Sequence, residues 1–381
     1  MTPTTALKSP PLTCDIFCRV VDNFGDIGVA WRLARQISLE HSARVRLIVD
    51  DLKSMQALVP IVDADQSRQN VDGVEIVAWR DSTIPTDPAE LVIEAFACEL
   101  PVIFISAMAA MSPPPTWINL EYLSAEPWVA AHHLLPSPHP ALPLTKYFYF
   151  PGFTENTGGL IREKSLIAAL SATPVMEHPR RPRVLVFAYE NAPAEALCAA
   201  AAEAKLEFAI DIVNGALLDK LQYRRGVSGE NGLNSAPVLE FVRVPFVPQS
   251  KFDALLRQYD ILIVRGEDSF VRAQWAARPF IWHAYPQANA AHLQKLSAFL
   301  DLYCEGLAAP AASALRGIWL AWNTPSPNEV GAAWRRFVEQ LPVLRAHAEK
   351  WSKRLTSMPD LASQLLSFHA KNAKIQGFAQ P

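Results

Sequence analysis

Glycine is scarce in this chain of 381 residues, 15 in all, and cysteine scarcer still, at five. Few glycines leave few places where the backbone can turn sharply or lie close to a ligand, so the ones that cluster carry information. Cys14, Cys18, Cys98, Cys198 and Cys304 are an odd number scattered through apolar segments, which argues against a disulfide framework. They read as reduced core residues. Cys14 and Cys18 share a strand face, but a four-residue spacing without a second Cys/His pair is a poor zinc pattern. An excess of one charge is also missing: 35 Lys and Arg against 38 Asp and Glu leave −3 with nine histidines neutral. No global field is available to hold nucleic acid or an anionic membrane, so any anion site must be local. Long apolar runs are absent too, since residues 1–13 carry no signal-like stretch and the most apolar later window is broken by Glu94, Glu99 and Pro101. The expectation is a cytoplasmic protein without a membrane span.

Half of the residues are hydrophobic, enough for two cores at roughly 100–200 residues per domain. Short β-branched or aromatic runs alternate with amphipathic segments: strand Asp15–Val21, helix Val29–Glu40, then strands Val45–Asp50, Val74–Trp79, Leu91–Ala95 and Thr116–Tyr122. A second series runs through strand Arg183–Tyr189, helix Ala194–Leu206, strands Ile210–Val213 and Leu239–Val244, helix Ser250–Tyr259, strand Ile261–Val264, helix Phe270–Ala277 and strand Phe280–His283. This is the βαβ alternation of a parallel sheet, met twice. Proline clusters at Pro113–Pro115, Pro136–Pro143 and Pro179–Pro182 punctuate loops, and the Pro/Arg-rich Thr173–Arg183 marks a boundary. The predicted layout is a first domain at 1–175, a second at 176–355, and a terminal helical segment at 356–381. No sequence repeat links the halves.

The first strand runs into Asp22-Asn23-Phe24-Gly25-Asp26-Ile-Gly28 and then a helix. In an open α/β sheet, the carboxyl end of such a strand is where ligands bind. Gly25-Asp-Ile-Gly28 is not the dinucleotide fingerprint, which needs a third glycine and no inserted acid. Asp22 and Asp26 would repel a phosphate, so a cationic or hydroxyl-rich acceptor fits better. The competing reading is that the two carboxylates cap the helix. In the second half Arg265-Gly266-Glu267-Asp268-Ser269 occupies the corresponding place between a strand and a helix, whose N-terminus offers backbone donors to a pyrophosphate. Ser269 adds a hydroxyl, Arg265 a charge, and Gly266 allows close approach. Here the competing reading is a capping box with surface acids. His132, His133 and His139 lie in a Pro-rich loop with no acidic or Cys partners, which speaks against a metal site.

Asp22-Asn-Phe-Gly-Asp26-Ile-Gly, Arg265-Gly-Glu267-Asp268-Ser269, Phe246-Val-Pro-Gln249 and Pro279-Phe-Ile-Trp-His-Ala-Tyr-Pro286 together resemble the elongation factor P arginine rhamnosyltransferase family. The resemblance covers most of the chain, leaving out residues before Asp15 and about 226–236. It implies a GT-B architecture, two Rossmann-like doubly wound domains facing across a cleft, with the terminal helix crossing back to the first. It also implies inverting transfer of L-rhamnose from dTDP-β-L-rhamnose to one arginine of elongation factor P, which activates that factor for rescue of ribosomes stalled at polyproline. A guanidinium keeps its proton, with a pKa above ~12, and its lone pairs are delocalised, so it must be gripped and deprotonated as it attacks.

The resemblance assigns Asp26 as general base and Asp22 as a partner that orients the guanidinium or supports Asp26. Asn23, Phe24 and Gly25 then line the acceptor side, with Phe24 a dry wall. Phe246 and Gln249 would hold the base, Gln249 reading the thymine edge, and Tyr189 the ribose or phosphate. The competing reading of each aromatic is core. Arg265, Gly266, Asp268 and Ser269 would meet the donor, the acids facing sugar hydroxyls or a basic neighbour. Glu267 would stabilise positive charge at the sugar carbon. No cofactor or metal is expected, since the sequence is read as having no Asp-x-Asp pair in a loop of the kind that holds a divalent ion on a sugar nucleotide. The expected partners are elongation factor P and dTDP-L-rhamnose, without nucleic acid or membrane. Asn119-Leu-Glu121-Tyr122 and Phe148–Phe153 are candidate docking loops. Two alternatives remain at this point: a GT-B sugar-nucleotide epimerase, and a non-catalytic sugar-nucleotide-binding protein.

Overall fold

Strand β1 (Thr13–Cys18) alternates its side chains between two apolar layers, and that alternation explains the first half of the molecule. Cys14, Ile16 and Cys18 point into the core under helix Gly25–His41, while Phe17 joins Phe104 and Met108 of helix Val102–Ala109 on the opposite face. A sheet covered on both faces takes uninterrupted apolar strands, which is why they stood out in the sequence. The structure is a computed structural model and describes residues 10–21, 24–172, 182–203, 208–213, 215–221, 241–324 and 329–378.

The first sheet adds β2 (Arg44–Val49), β3 (Arg68–Val71), β4 (Val74–Ala78), β5 (Leu91–Ala95), β6 (Thr116–Leu120), β7 (Pro136–Pro138) and β8 (Thr145–Tyr149). Its order is β3-β4-β2-β1-β5-β6-β8-β7, parallel except at the two edges, where β3 and β7 run antiparallel. The second sheet comprises β9 (Arg183–Val186), β10 (Ala209–Val213), β11 (Phe241–Val244), β12 (Ile261–Arg265) and β13 (Phe280–His283), all parallel, in the order β11-β10-β9-β12-β13. In each sheet the chain builds outward from its first strand, then returns to build on the other side. The reversal falls between β1 and β5 in one sheet and between β9 and β12 in the other. Loops diverge at the carboxyl ends of such strands and open a crevice. The acidic turn, Tyr189 and Arg265–Ser269 all follow strands at these two points.

Several expectations need correction. The first helix begins at Gly25 instead of Val29, and the later one runs Glu267–Trp275 instead of starting at Phe270. Asp26, Glu267, Asp268 and Ser269 therefore belong to first helical turns, not to the loops before them. Phe148–Phe153 is not a docking loop: Phe148 and Tyr149 close β8, and Tyr149, Phe150 and Phe153 are buried. Pro136–Pro138, read as loop, pairs with β8 as an edge strand, the one place in a sheet where proline's missing N–H goes unnoticed. The boundary at Thr173–Arg183 lies, apart from its last two residues, outside the described residues.

The chain passes between the sheets through Leu160 and Ile161, which enter different cores, and the Trp275 indole donates to the Ile161 carbonyl at 3.0 Å. The last helix, Leu361–Phe378, packs on the first sheet: Leu361, Ala362 and Leu365 enter its core, and His369 and Asn372 meet the Thr116 hydroxyl at 2.9 and 3.2 Å. Among the described residues no helix is long and apolar enough to cross a membrane.

Candidate active site

Asp26 is almost completely buried in the first turn of helix Gly25–His41, yet it does not cap that helix. Its Oδ2 accepts the Val21 N–H at 2.8 Å, folding the acidic turn back on itself, and the Tyr122 hydroxyl donates to the same carboxylate. The capping reading thus fails for Asp26, because the N-cap is Phe24 and no side chain closes it. Asp22 and Asn23 lie outside the described residues. Beneath Tyr122 the Phe96 ring stacks at 4.5 Å and 19°. Phe96, Ala97 and Glu99 all hold positive φ, of 58°, 51° and 55°, a backbone that costs on the order of 1–3 kcal/mol per residue outside glycine. Buried Asn119 and Glu94 hold this turn by accepting the N–H groups of Ala97 and Glu99 at 3.2 and 3.1 Å. This turn carries the Phe96 ring that stacks on Tyr122, the donor to Asp26.

Across the cleft, β12 ends at Arg265 and Gly266 turns the chain into helix Glu267–Trp275 with φ 64° and ψ 177°, a conformation that requires glycine. No side chain caps this helix either, so the capping-box reading fails too. Glu267 accepts the Leu123 N–H at 3.0 Å, spanning the two halves. Asp26, Tyr122 and Leu123 on one side and Gly266, Glu267, Trp282, Tyr285, His292 and Lys295 on the other line a cleft with about 340 Å³ of free volume. Lys295 reaches 5.5 Å from the centre of the Tyr122 ring.

Gly266 also belongs to a second, aromatic cleft. There Phe24 packs on Phe246 at 5.3 Å, Phe246 lies 6.2 Å from Phe187, and the Arg265 guanidinium sits 4.8 Å from the Phe187 ring and 4.9 Å from Tyr189. Gly25 and Ser269 complete its polar edge. The Tyr189 N–H donates to Nδ1 of His283 at 3.2 Å. Burial, with Arg265 and His292 nearby, pushes His283 down to about 3, so its ring is neutral and fit to accept.

Below both clefts the halves are joined by a buried ion network. Arg32 grips Glu163 in bidentate fashion at 2.7 and 2.6 Å and donates Nη1 to Asp268 at 2.7 Å. Arg272 donates to Asp268 at 3.0 Å and pairs with Asp253. Gln249, expected to read a base edge, spends its amide nitrogen on the Gly28 carbonyl and Asp268, each at 3.0 Å. It meets the cleft only beside that commitment, because helix Gln249–Leu256 turns it toward the charged network. Asp268 does meet basic neighbours. Burial alone would raise its carboxyl, but Arg272 and Arg32 outweigh it and hold it below the usual range.

The structure therefore brings together Asp26, Phe24, Gly25, Tyr189, Phe246, Gln249, Arg265, Gly266, Glu267, Asp268 and Ser269. Sequence reasoning missed Phe96, Phe187, Lys295, Arg32, Glu163 and Arg272, and read Tyr122 only as part of a docking loop. His132, His133 and His139 are occupied locally, with Trp128, Phe150 and the Ala141–Leu142 turn. The chain does hold one Asp-x-Asp that the sequence reading passed over, Asp63-Ala64-Asp65; it is folded on itself, Asp63 accepting from Asp65 and Gln66, and lines neither cleft. Among the described residues no cluster of three His, Cys, Asp or Glu could hold a metal.

Residues 14–370 match the family described as Elongation-Factor P (EF-P) rhamnosyltransferase EarP. The chain belongs to the EarP family. It is 44% identical over 373 residues to a protein-arginine rhamnosyltransferase of Pseudomonas putida, covering 94% of this chain and 98% of that one. A solved EarP structure, described as the structural basis for EarP-mediated arginine glycosylation of translation elongation factor EF-P, matches with a TM-score of 0.63 at 32% identity, covering 94% and 99% of the two chains. A glycotransferase of kitacinnamycin, 13% identical with a TM-score of 0.51 over 95% and 99%, shares the fold alone. The architecture is GT-B and the EarP family is one of glycosyltransferases, so the chain is an enzyme of that class. That sets aside the epimerase and the non-catalytic binding protein.

Proposed function

We propose that the chain transfers L-rhamnose from dTDP-β-L-rhamnose to an arginine side chain of elongation factor P, with inversion at the sugar carbon. One observation carries this reading: two chemically different clefts meet at Gly266, with Asp26 on one wall and Glu267 facing it. The aromatic cleft suits a nucleotide, since Phe24, Phe187 and Phe246 offer ring faces to a base and Arg265 a charge to a diphosphate. The acidic cleft suits a guanidinium, with Tyr122 as a ring face and Asp26 as acceptor. On this reading residues 1–175 receive the acceptor and supply the base, 176–355 hold the donor, and 356–381 brace the first half. The acceptor, a translation factor, puts the reaction in the cytoplasm, where the modified factor relieves ribosomes stalled at polyproline.

In the proposed step an arginine nitrogen attacks the anomeric carbon from the first half. The bond from that carbon to the diphosphate oxygen breaks, its electron pair leaving with dTDP, and the nitrogen passes its proton to Asp26. A carboxylate offers about four lone-pair positions, and Asp26 accepts from Val21 and Tyr122. Glu267 opposes the positive charge that develops at the sugar carbon, and the N–H groups opening helix Glu267–Trp275, with Ser269, meet the leaving diphosphate. The reading includes no metal. Asp22 is assigned beside Asp26 on the resemblance alone.

The test is to mix the protein with dTDP-L-rhamnose and unmodified elongation factor P and to weigh the factor by intact mass spectrometry, with Asp26→Asn as control. A gain of one deoxyhexose that vanishes in the control supports both the reaction and the base. Gain in both moves the base elsewhere. No gain from a folded preparation that binds the donor overturns the reading.

A further inference from the structure

The two carboxylates proposed to act on the reaction both sit in first helical turns, Asp26 in helix Gly25–His41 and Glu267 in helix Glu267–Trp275. Their separation is therefore set by how those helices dock, and the docking contact lies within two turns of each. At Gly28, two residues beyond Asp26, the helices come so close that a Cβ would stand 3.1 Å from the Gln249 amide nitrogen and 3.3 Å from an Asp268 oxygen. One turn further Arg32, 1% exposed at its side chain, reaches across to Asp268, the neighbour of Glu267. The path from one acid to the other is thus six residues of rigid helix, one ion pair and one peptide unit.

We propose that Arg32 and Asp268 are positioning residues for glycosyl transfer, fixing the distance between the Asp26 and Glu267 carboxylates; this rests on the transferase reading above. Asp268 is held from three directions. One oxygen takes Arg32, and the other takes Arg272 and Gln249. Asp268 is thus engaged by three donors from the protein itself, although it lies beside the aromatic cleft. Arg32 is held as firmly, its remaining nitrogens forked onto Glu163, whose own carboxyl Arg32 holds below the usual range against burial. Two guanidiniums against three carboxylates, from four separated stretches of chain, meet at one point. Stability does not account for such a cluster, since apolar residues of the same volume often serve a buried site as well or better, while what charge and fork geometry add is register. Gln249 fits the same role, because its amide ties Asp268 to the Gly28 carbonyl, helix to helix.

The experiment compares Gly28→Ala and Arg32→Lys with the unaltered enzyme in rhamnosyl transfer to elongation factor P, measuring kcat, both KM values and Tm. Alanine favours a helix over glycine, so Gly28→Ala separates docking distance from stability. The expected result is a kcat at least tenfold lower in Gly28→Ala with Tm within 2 °C or higher and donor KM within about twofold. Arg32→Lys, which keeps the charge and loses the fork, lowers kcat in the same way without raising donor KM. If Gly28→Ala keeps kcat within twofold, or if both variants lose rate only in step with Tm, the network is merely structural and the inference is overturned. An unaltered enzyme that transfers no sugar in the same assay overturns the transferase reading itself, and this inference with it.

Discussion

Replacing Tyr122 by phenylalanine removes one hydroxyl from the proposed reaction centre and little else. The ring stays stacked on Phe96, and the positive-φ turn that presents Phe96 is held by Asn119 and Glu94, which the change does not touch. What is lost is the donor to Asp26. Burial, together with the Asp26 and Glu267 carboxylates, pushes the Tyr122 hydroxyl up, so it stays protonated and donates throughout the neutral range. A hydrogen bond to a charged group contributes about 1.5–3 kcal/mol, and each 1.4 kcal/mol is about tenfold in rate. If the bond orients Asp26 toward the incoming nitrogen, kcat falls by about 10- to 100-fold. Donor KM stays within about twofold, because Tyr122 is not part of the aromatic cleft. The assay is a time course of deoxyhexose addition to elongation factor P by intact mass, with donor and acceptor varied in turn and Tm measured alongside. A kcat within twofold of the parent refutes the orienting role. A rise in donor KM that matches the loss of rate refutes the division into two clefts.

Three further perturbations test other parts of the argument. Phe246→Ala opens the aromatic cleft between Phe24 and Phe187, and calorimetric titration with dTDP should show affinity at least tenfold weaker with acceptor KM unchanged. His283 is held near 3 in the folded chain, against about 6.5 when unfolded, so below pH 6.5 the unfolded chain takes a proton that the folded one refuses; stability is full above that pH and falls toward pH 4 by up to about 1.4 kcal/mol per pH unit. Urea titrations from pH 7 to 4.5 should show a shallower fall in His283→Asn, whose amide oxygen can still accept the Tyr189 N–H. Leu365→Ala empties a fully buried site between the last helix and the first sheet and should cost about 2–5 kcal/mol in urea unfolding, without changing donor affinity.

Strands that run through a covered sheet are legible because nothing polar interrupts them, and Leu91–Ala95 and Phe280–His283 lie where their apolar runs lie. Helix starts are less legible, for one reason. Both Gly25–His41 and Glu267–Trp275 open without a side-chain cap, so their acids looked like loop residues until the backbone placed them in a first turn. β8 escaped because prolines flank its aromatics, and proline signals a loop except at a sheet edge. Asp26 and the Arg265–Ser269 run were visible as motifs because each is local. Arg32, Glu163 and Asp268 meet across 131 and 236 residues of sequence, a separation at which no spacing rule operates.

The glycines of the acidic turn show why a familiar pattern misleads. Gly25-Asp-Ile-Gly28 resembles the start of a phosphate loop, in which the later glycine lets a pyrophosphate approach the helix. Here the space over Gly28 is filled by Gln249 and Asp268 of the other half. The glycine is needed, but what it admits is protein. On the proposed reading a diphosphate would meet the opposite helix, where Gly266 turns the chain at φ 64° and leaves the N–H groups opening Glu267–Trp275 without a side-chain cap. Gly28 and Gly266, at the two helices that carry Asp26 and Glu267, act differently: one lets the helices dock, the other turns a strand into a helix. Exchanging their neighbours' charges would not exchange these tasks, since the first depends on a missing Cβ and the second on a backbone angle.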